Sequence, residues 1–165
     1  GYLVSKLGGE ATQGPIQLTD WGTENATASG TKATLVEHSP AYLWDIVNIP
    51  TNATYLSFEM YWDQIGSGDM LRFWFGDLLL YQFLGADFVG ADFVQVDPIW
   101  IGDLSGLTGQ FLFELVSTGQ VDSIFSVRNL QIFTSNSAEI PEPSSIALIA
   151  LSLICLALVR KGRRI

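Results

Sequence analysis

The sequence contains very few of the residues on which enzymes and metal sites most often depend. Of its 165 residues, one is cysteine (Cys155) and one is histidine (His38). Cys155 lies in an apolar C-terminal segment, so the rest of the chain has no disulfide, no thiolate metal site and no cysteine nucleophile. A serine triad or a zinc site needs a histidine placed beside partners, and no such motif is present. We therefore interpret His38 as a surface residue, assign no catalytic residue and expect that the protein is not an enzyme.

Basic residues are also scarce, and their distribution is uneven. Residues 1–143 carry 4 basic against 17 acidic side chains, a formal charge of −13. The other four basic residues lie among the last six positions. Because nucleic-acid binding requires a basic surface, this composition excludes nucleic acid as a partner. It also favours solubility and the attraction of cations.

Before residue 143 no stretch has the sustained periodicity of a capped amphipathic helix. Short β-type runs are separated instead by Gly-, Asp- and Pro-containing turns, as between 70–75 and 78–83, where Gly76-Asp77 predicts a hairpin. Strands at intervals of roughly ten residues predict an all-β fold over 1–135, an antiparallel β-sandwich of jelly-roll type. Alternation within three runs predicts these core residues: Leu56, Phe58, Met60, Leu71, Phe73, Phe75, Phe111, Phe113 and Leu115.

A tandem pentapeptide interrupts this pattern at 85–94, where Gly-Ala-Asp-Phe-Val occurs twice in succession. A period of five matches neither a strand nor a helix. We interpret it as a small duplication in a loop, with a calcium-binding repeat as the alternative.

Carboxylates are numerous, but most of the aspartates lie at predicted turns, where Asp stabilises the turn itself. No pair stands out as the two carboxylates of a glycosidase. Calcium prefers oxygen ligands, and aspartates could converge at one end of a sandwich, although no EF-hand spacing is present. A structural calcium ion is thus the only cofactor considered, against turn chemistry, and its candidate ligands are Asp63, Asp69, Asp97, Asp103 and Asp122.

Three aromatic residues fall outside the predicted core pattern. Trp74 lies on the face of its strand opposite Phe73 and Phe75, and Tyr61 and Trp100 are similarly off-pattern. We place Trp62 and Trp74 in adjacent strands or a hairpin. A flat, exposed aromatic ring suits the C–H face of a sugar, so Tyr61, Trp74 and Trp100 are candidate glycan-binding residues. The alternative is that these wide rings cover sheet edges or the ends of the sandwich.

The C-terminal region differs in kind from the rest. Residues 136–143 form an acidic linker that ends in Pro141-Glu142-Pro143, which excludes a continuing strand. Residues 144–159 contain no charge, Gly or Pro and predict an apolar helix of about 24 Å, which snorkelling basic residues extend toward a membrane span. A buried core helix is the alternative, but the basic end at 160–165 is unusual for one. That end contains Arg160, Lys161, Arg163 and Arg164.

The order of linker, Pro-Glu-Pro, apolar helix and basic end resembles the PEP-CTERM sorting tail of Gram-negative bacteria, the substrate of the membrane protease exosortase. The resemblance covers about the last 25 residues and leaves the preceding domain unrecognised. It implies export, a precursor anchored in the inner membrane with its body outside the cytoplasm, cleavage near Pro143, and then a cell-surface or extracellular location. Export also implies a leader; we expect that it has been removed before Gly1 or that the sequence is a fragment.

Two functions are consistent with these features. The first is a structural or adhesive role at the bacterial surface or in the extracellular matrix. The alternative is a carbohydrate-binding module of the cell surface or exopolysaccharide matrix. The expected partners are exosortase, the inner membrane before cleavage and exopolysaccharide.

Overall fold

The computed structural model describes residues 10–12, 14–36, 40–66, 68–116 and 122–135, with side chains from residue 14 onward. Twelve strands account for most of this part of the chain. They are β1 Glu10–Thr12, β2 Gly22–Glu24, β3 Ala26–Ser29, β4 Lys32–Val36, β5 Ala41–Asn48, β6 Ala53–Gln64, β7 Met70–Phe75, β8 Leu78–Leu84, β9 Val94–Gln95, β10 Ile99–Trp100, β11 Thr108–Val116 and β12 Ile124–Ser135. Two short 3-10 turns, Gly85–Asp87 and Gly102–Leu104, lie in the connections.

The strands form two antiparallel sheets. Sheet A has the order β10-β6-β12-β4-β3, with β1 paired to β12 and β9 paired to β6. Sheet B has the order β2-β5-β11-β7-β8. The predicted all-β antiparallel sandwich is therefore confirmed.

The inner faces of the two sheets meet in one aromatic core. All nine residues predicted for the core are buried, with exposed fractions between 0% and 8%. Phe58 of sheet A contacts Phe73 and Phe113 of sheet B edge to face, with ring centroids 5.7 and 5.3 Å apart. Phe73 and Phe113 stack on each other at 4.2 Å across β7 and β11. These contacts hold the sheets together and fix which side chains point outward.

Most predicted strands match the observed ones closely. The run 70–75 is β7 as predicted, and β7 pairs with β8 through the turn at Gly76-Asp77, so the predicted hairpin is confirmed. The run 94–101 is instead divided into β9 and β10, because Pro98 cannot donate to a ladder. The expectation that Trp62 and Trp74 lie in adjacent strands or a hairpin is wrong: β6 belongs to sheet A and β7 to sheet B.

Within the described residues, no helix is long and apolar enough to cross a membrane. The predicted linker at 136–143, the predicted helix at 144–159 and the basic end at 160–165 lie outside those residues.

Candidate functional site

The outer face of sheet B carries an ordered row of apolar side chains. Register pairs Trp44 of β5 with Leu112 of β11, Leu112 with Trp74 of β7, and Trp74 with Leu79 of β8. We call these four residues the tryptophan row. Leu79 is exposed and the other three are half-buried. Since neighbouring strands are about 4.8 Å apart, the two indoles are anchored roughly 10 Å from each other.

The indole of Trp44 lies flat on the backbone of Gly22, its partner in β2. A Cβ atom added at Gly22 would be 2.6 Å from both Nε1 and Cζ2 of Trp44 and closer still to Cε2, the atom that joins them. The glycine therefore lies against one face of the indole, and only a residue without a side chain allows this approach. Trp44 is half-buried, so part of its side chain remains exposed.

A second row of polar residues orients Trp74. Its Nε1 donates a hydrogen bond to Oε1 of Glu114 (3.2 Å). Arg72 lies 4.0 Å from the same carboxylate, and its Nε donates to Oε1 of Gln82 (3.2 Å). Tyr42 pairs with Glu114 from the other side, in β5. The face thus combines two oriented indoles with hydrogen-bonding groups that are already paired.

The outer face of sheet A is covered where Tyr61 lies. The ring centroids of Phe88 and Phe93, one from each copy of the tandem pentapeptide, are 5.9 and 5.6 Å from that of Tyr61. The Phe93 ring is itself 3.9 Å from the guanidinium carbon of Arg128, which forms an ion pair with Glu59 at 3.2 Å. Tyr61, although outward-facing as predicted, is therefore packed against a loop and half-buried.

Trp100, the third glycan-binding candidate, lies in β10 at the edge of sheet A. It is 54% exposed, and its ring meets that of Tyr55 edge to face at 5.2 Å. The structure thus places Trp74 on the outer face of sheet B, and Tyr61 and Trp100 at separate positions on the outward side of sheet A. Trp44 was missed by the sequence analysis, because the run 42–49 is apolar on both faces and its alternation is hidden. Trp44 is identified by its cross-strand pairing with Gly22, and this pairing cannot be read from the local sequence.

A cleft of about 360 Å³ lies beside β5 and is lined by Trp21, Asp45, Ile46 and Asn48 among others. Asp45 Oδ1 accepts a hydrogen bond from the Ile46 N–H (2.9 Å), and Asn48 Oδ1 accepts one from Thr108 (2.6 Å). Trp21 is only 7% exposed, so the cleft has no open ring face. The tryptophan row is the better candidate site.

The five candidate calcium ligands do not form one cluster. Asp69 is buried and accepts a hydrogen bond from Ser123 Oγ (2.8 Å), near the end of β6 where Gln64 donates to the Asp122 carbonyl oxygen (2.6 Å). Asp63 is exposed at the same end of β6, whereas Asp97 and Asp103 lie farther along its length, in the connections around β10. Among the residues described with side chains, no three His, Cys, Asp or Glu groups are arranged to hold a metal ion.

One half-buried phenol, that of Tyr81, has a perturbed pKa. Burial raises the pKa of Tyr81 above its ordinary value, and the negative charge of Asp97 raises it further. Tyr81 packs against Phe58 of the core at 5.5 Å and pairs with Phe73 across the hairpin. We interpret this shift as a consequence of packing at the sheet edge.

His38, Cys155 and all the residues of the predicted sorting signal lie outside the described residues. The comparisons with known proteins bear on that signal. Residues 139–164 match the model of the PEP-CTERM protein-sorting motif, which confirms the resemblance stated for the tail. A chain that carries this motif is exported, and exosortase recognises and processes it at the membrane.

Other comparisons concern the folded part. No curated protein matches the sequence significantly. Among solved structures, the chain is similar to the C-terminal CBM6 of LamC, a marine laminarinase from Zobellia galactanivorans. The sequences are 14% identical, the match covers 68% of this chain and 87% of that chain, and the TM-score is 0.42.

Proposed function

We propose that the folded domain is an adhesive module of the bacterial surface that binds a neutral polysaccharide through the tryptophan row. The observation that carries this proposal is the placement of Trp44 and Trp74 on one outer face, in register and oriented by Gly22 and Glu114. Indole rings present flat apolar faces that suit the C–H side of a sugar ring. Two such rings roughly 10 Å apart fit an extended chain of sugars better than a single small molecule.

The charge of the face favours an uncharged ligand. The cation on this face, Arg72, interacts with Glu114 and Gln82. Glu24 is a further acid on the same face, because it pairs with Tyr42, which in turn pairs with Glu114. The residues around it belong to a region with 17 acidic side chains and 4 basic ones. An anionic polysaccharide would be repelled by this field, so the ligand class is neutral.

The engagement of Glu114 also favours a binding role. Its carboxylate accepts a hydrogen bond from Trp74 and lies 4.0 Å from Arg72. A group that orients a binding residue serves recognition without needing to exchange protons.

Binding is tested with a soluble, neutral β-glucan and the carboxymethylated form of the same glucan. The purified chain should bind the neutral polymer and show little affinity for the charged one. Trp44→Ala and Trp74→Ala should each weaken binding about ten-fold or more, which corresponds to about 1.4 kcal/mol. Tyr61→Ala is the matched control on the other outer face and should leave binding unchanged. Equal binding by all three variants would contradict the proposal.

Delivery is tested separately through the tail. We propose that the basic end holds the apolar helix in the inner membrane with the folded domain outside, since positive flanks remain cytoplasmic. Changing Arg160, Lys161, Arg163 and Arg164 to Glu should weaken arrest, whereas changing Pro141 and Pro143 to Ala should impair only cleavage. The intact mass of protein recovered from the cell surface should correspond to an end close to Pro143. Surface protein that still carries Ile165 would mean that the helix is a permanent anchor.

A further inference from the structure

Trp100 is seated in the same way as Trp44, but on the other side of the sandwich. A Cβ atom added at Gly102 would be 2.6 Å from Cη2 and 2.7 Å from Cε2 of Trp100 and closer still to Cζ2, which lies between them. One face of the indole therefore rests on Gly102. Tyr55 holds the ring from the side, with an interplanar angle of 75°.

The exposure of this ring is not explained by packing. Trp21 and Trp62 are buried and Trp44 and Trp74 are half-buried, whereas Trp100 is 54% exposed. Leaving an indole in water forgoes the stabilisation that its burial would provide. Trp100 is nevertheless held in one orientation by Gly102 and Tyr55. A rigid, exposed aromatic ring is the usual anchor of a binding surface.

We infer that Trp100 forms a second polysaccharide-contact site and that one molecule bridges two polysaccharide chains. This inference rests on the proposed function of the tryptophan row. Trp100 pairs with Tyr55 of β6. Because the next residue of β6, Leu56, is buried in the core, Tyr55 and Trp100 lie on the outward side of sheet A. The tryptophan row faces outward from sheet B, on the opposite side of a sandwich whose sheets pack about 10 Å apart. An extended chain lying on one outer face therefore does not reach the other.

The ligand class is the same at both sites. The charged side chains nearest to Trp100 in sequence are Asp97 and Asp103, each three residues away, and both are exposed and acidic. A neutral sugar ring can stack on the open face of the indole, whereas an anionic polymer would meet the same repulsion as on sheet B. Two sites for one ligand class on opposite faces convert a binding domain into a cross-link between polymer chains, which is what adhesion within a polysaccharide matrix requires.

Bridging is measured with beads that carry the neutral β-glucan, a fluorescent soluble form of the same glucan, and the full chain purified in mild detergent. The wild-type protein should bind the beads and recruit the fluorescent glucan to them. Trp100→Ala should still bind the beads through the tryptophan row, but recruitment should fall about ten-fold or more. Gly102→Ala, which displaces the indole, should act in the same direction, and Trp100→Phe, which retains a ring, should recruit more than Trp100→Ala.

The outcomes separate the two proposals. If the double variant Trp44→Ala/Trp74→Ala still binds the beads and Trp100→Ala does not, the proposed function of the tryptophan row is overturned. Wild-type binding with no recruitment, or recruitment unchanged by Trp100→Ala, would overturn bridging through Trp100 and leave the tryptophan row intact. Bridging in the latter case would come from association of two copies. Absence of all binding would overturn both.

Discussion

Tyr61 and Trp74 have equivalent places in the alternation of their strands, yet their surroundings differ. Both point away from the core, Tyr61 from sheet A and Trp74 from sheet B. Both side chains are half-buried, but Tyr61 packs against Phe88 and Phe93 of a loop, whereas Trp74 lies in the tryptophan row between Leu112 and Leu79. Alternation therefore determines the side of the sheet on which a residue lies, but it does not determine what lies above that side. The difference separates the packed surroundings of Tyr61 from the tryptophan row.

The largest effect is expected from a substitution in the core that supports both sheets. Phe73→Ala should lower the free energy of unfolding by about 3–5 kcal/mol, because the ring packs against Phe58, Phe111 and Phe113 between the sheets. Denaturant titration measures the change. Gln110→Ala, an exposed site on β11, is the control and should stay within about 0.5 kcal/mol. Comparable losses for the two variants would contradict the assigned core.

A smaller effect is expected from uncovering Tyr61. Phe93→Ala removes the ring that contacts both Tyr61 and Arg128, and a cation–π contact of this kind contributes about 1–2 kcal/mol. Nitration of Tyr61, followed by mass spectrometry, should increase in the variant. Phe93→Tyr retains the ring and is the control. If Tyr61 of the wild type is nitrated as readily as in Phe93→Ala, the face is not covered and the contrast with sheet B is lost.

The smallest effect concerns the inner side of sheet B and depends on pH. The pKa of Tyr81 is raised by burial first and by Asp97 second, so the unfolded chain loses this proton at a lower pH than the folded one. Stability is thus unaffected below the unfolded pKa of about 10 and falls as the pH rises above it. Tyr81→Phe should flatten this fall, and Asp97→Asn should reduce it. If stability falls identically with pH in the wild type and in Tyr81→Phe, other titrating groups cause the fall.

The sequence predicted those features that depend on local alternation. The nine core residues, the span of β7 and the hairpin at Gly76-Asp77 follow from period-two patterning and turn chemistry, which act within a few residues. The sorting tail was equally accessible, because it is a linear signal and does not depend on packing.

Features that depend on pairing between distant strands were not accessible. The Trp44 indole has its position only because Gly22 is its partner in β2. Trp62 and Trp74 belong to different sheets although they are only twelve positions apart in the sequence. Phe88 and Phe93 belong to a repeat with no strand or helix period, and their contact with Tyr61 requires the loop to fold back over β6. Each of these is a long-range contact that neither propensity nor alternation contains.

The contrast between the tryptophan row and the packed surroundings of Tyr61 is tested most directly by hydroxyl-radical footprinting of the purified chain, with and without the neutral β-glucan. Mass spectrometry reports the oxidation of each aromatic side chain in one experiment. We expect the polysaccharide to protect Trp44 and Trp74 and to leave Tyr61 unchanged. Protection of Tyr61, or oxidation of Trp44 and Trp74 that does not change when the glucan is added and bound, would contradict the assignment of the binding face to sheet B.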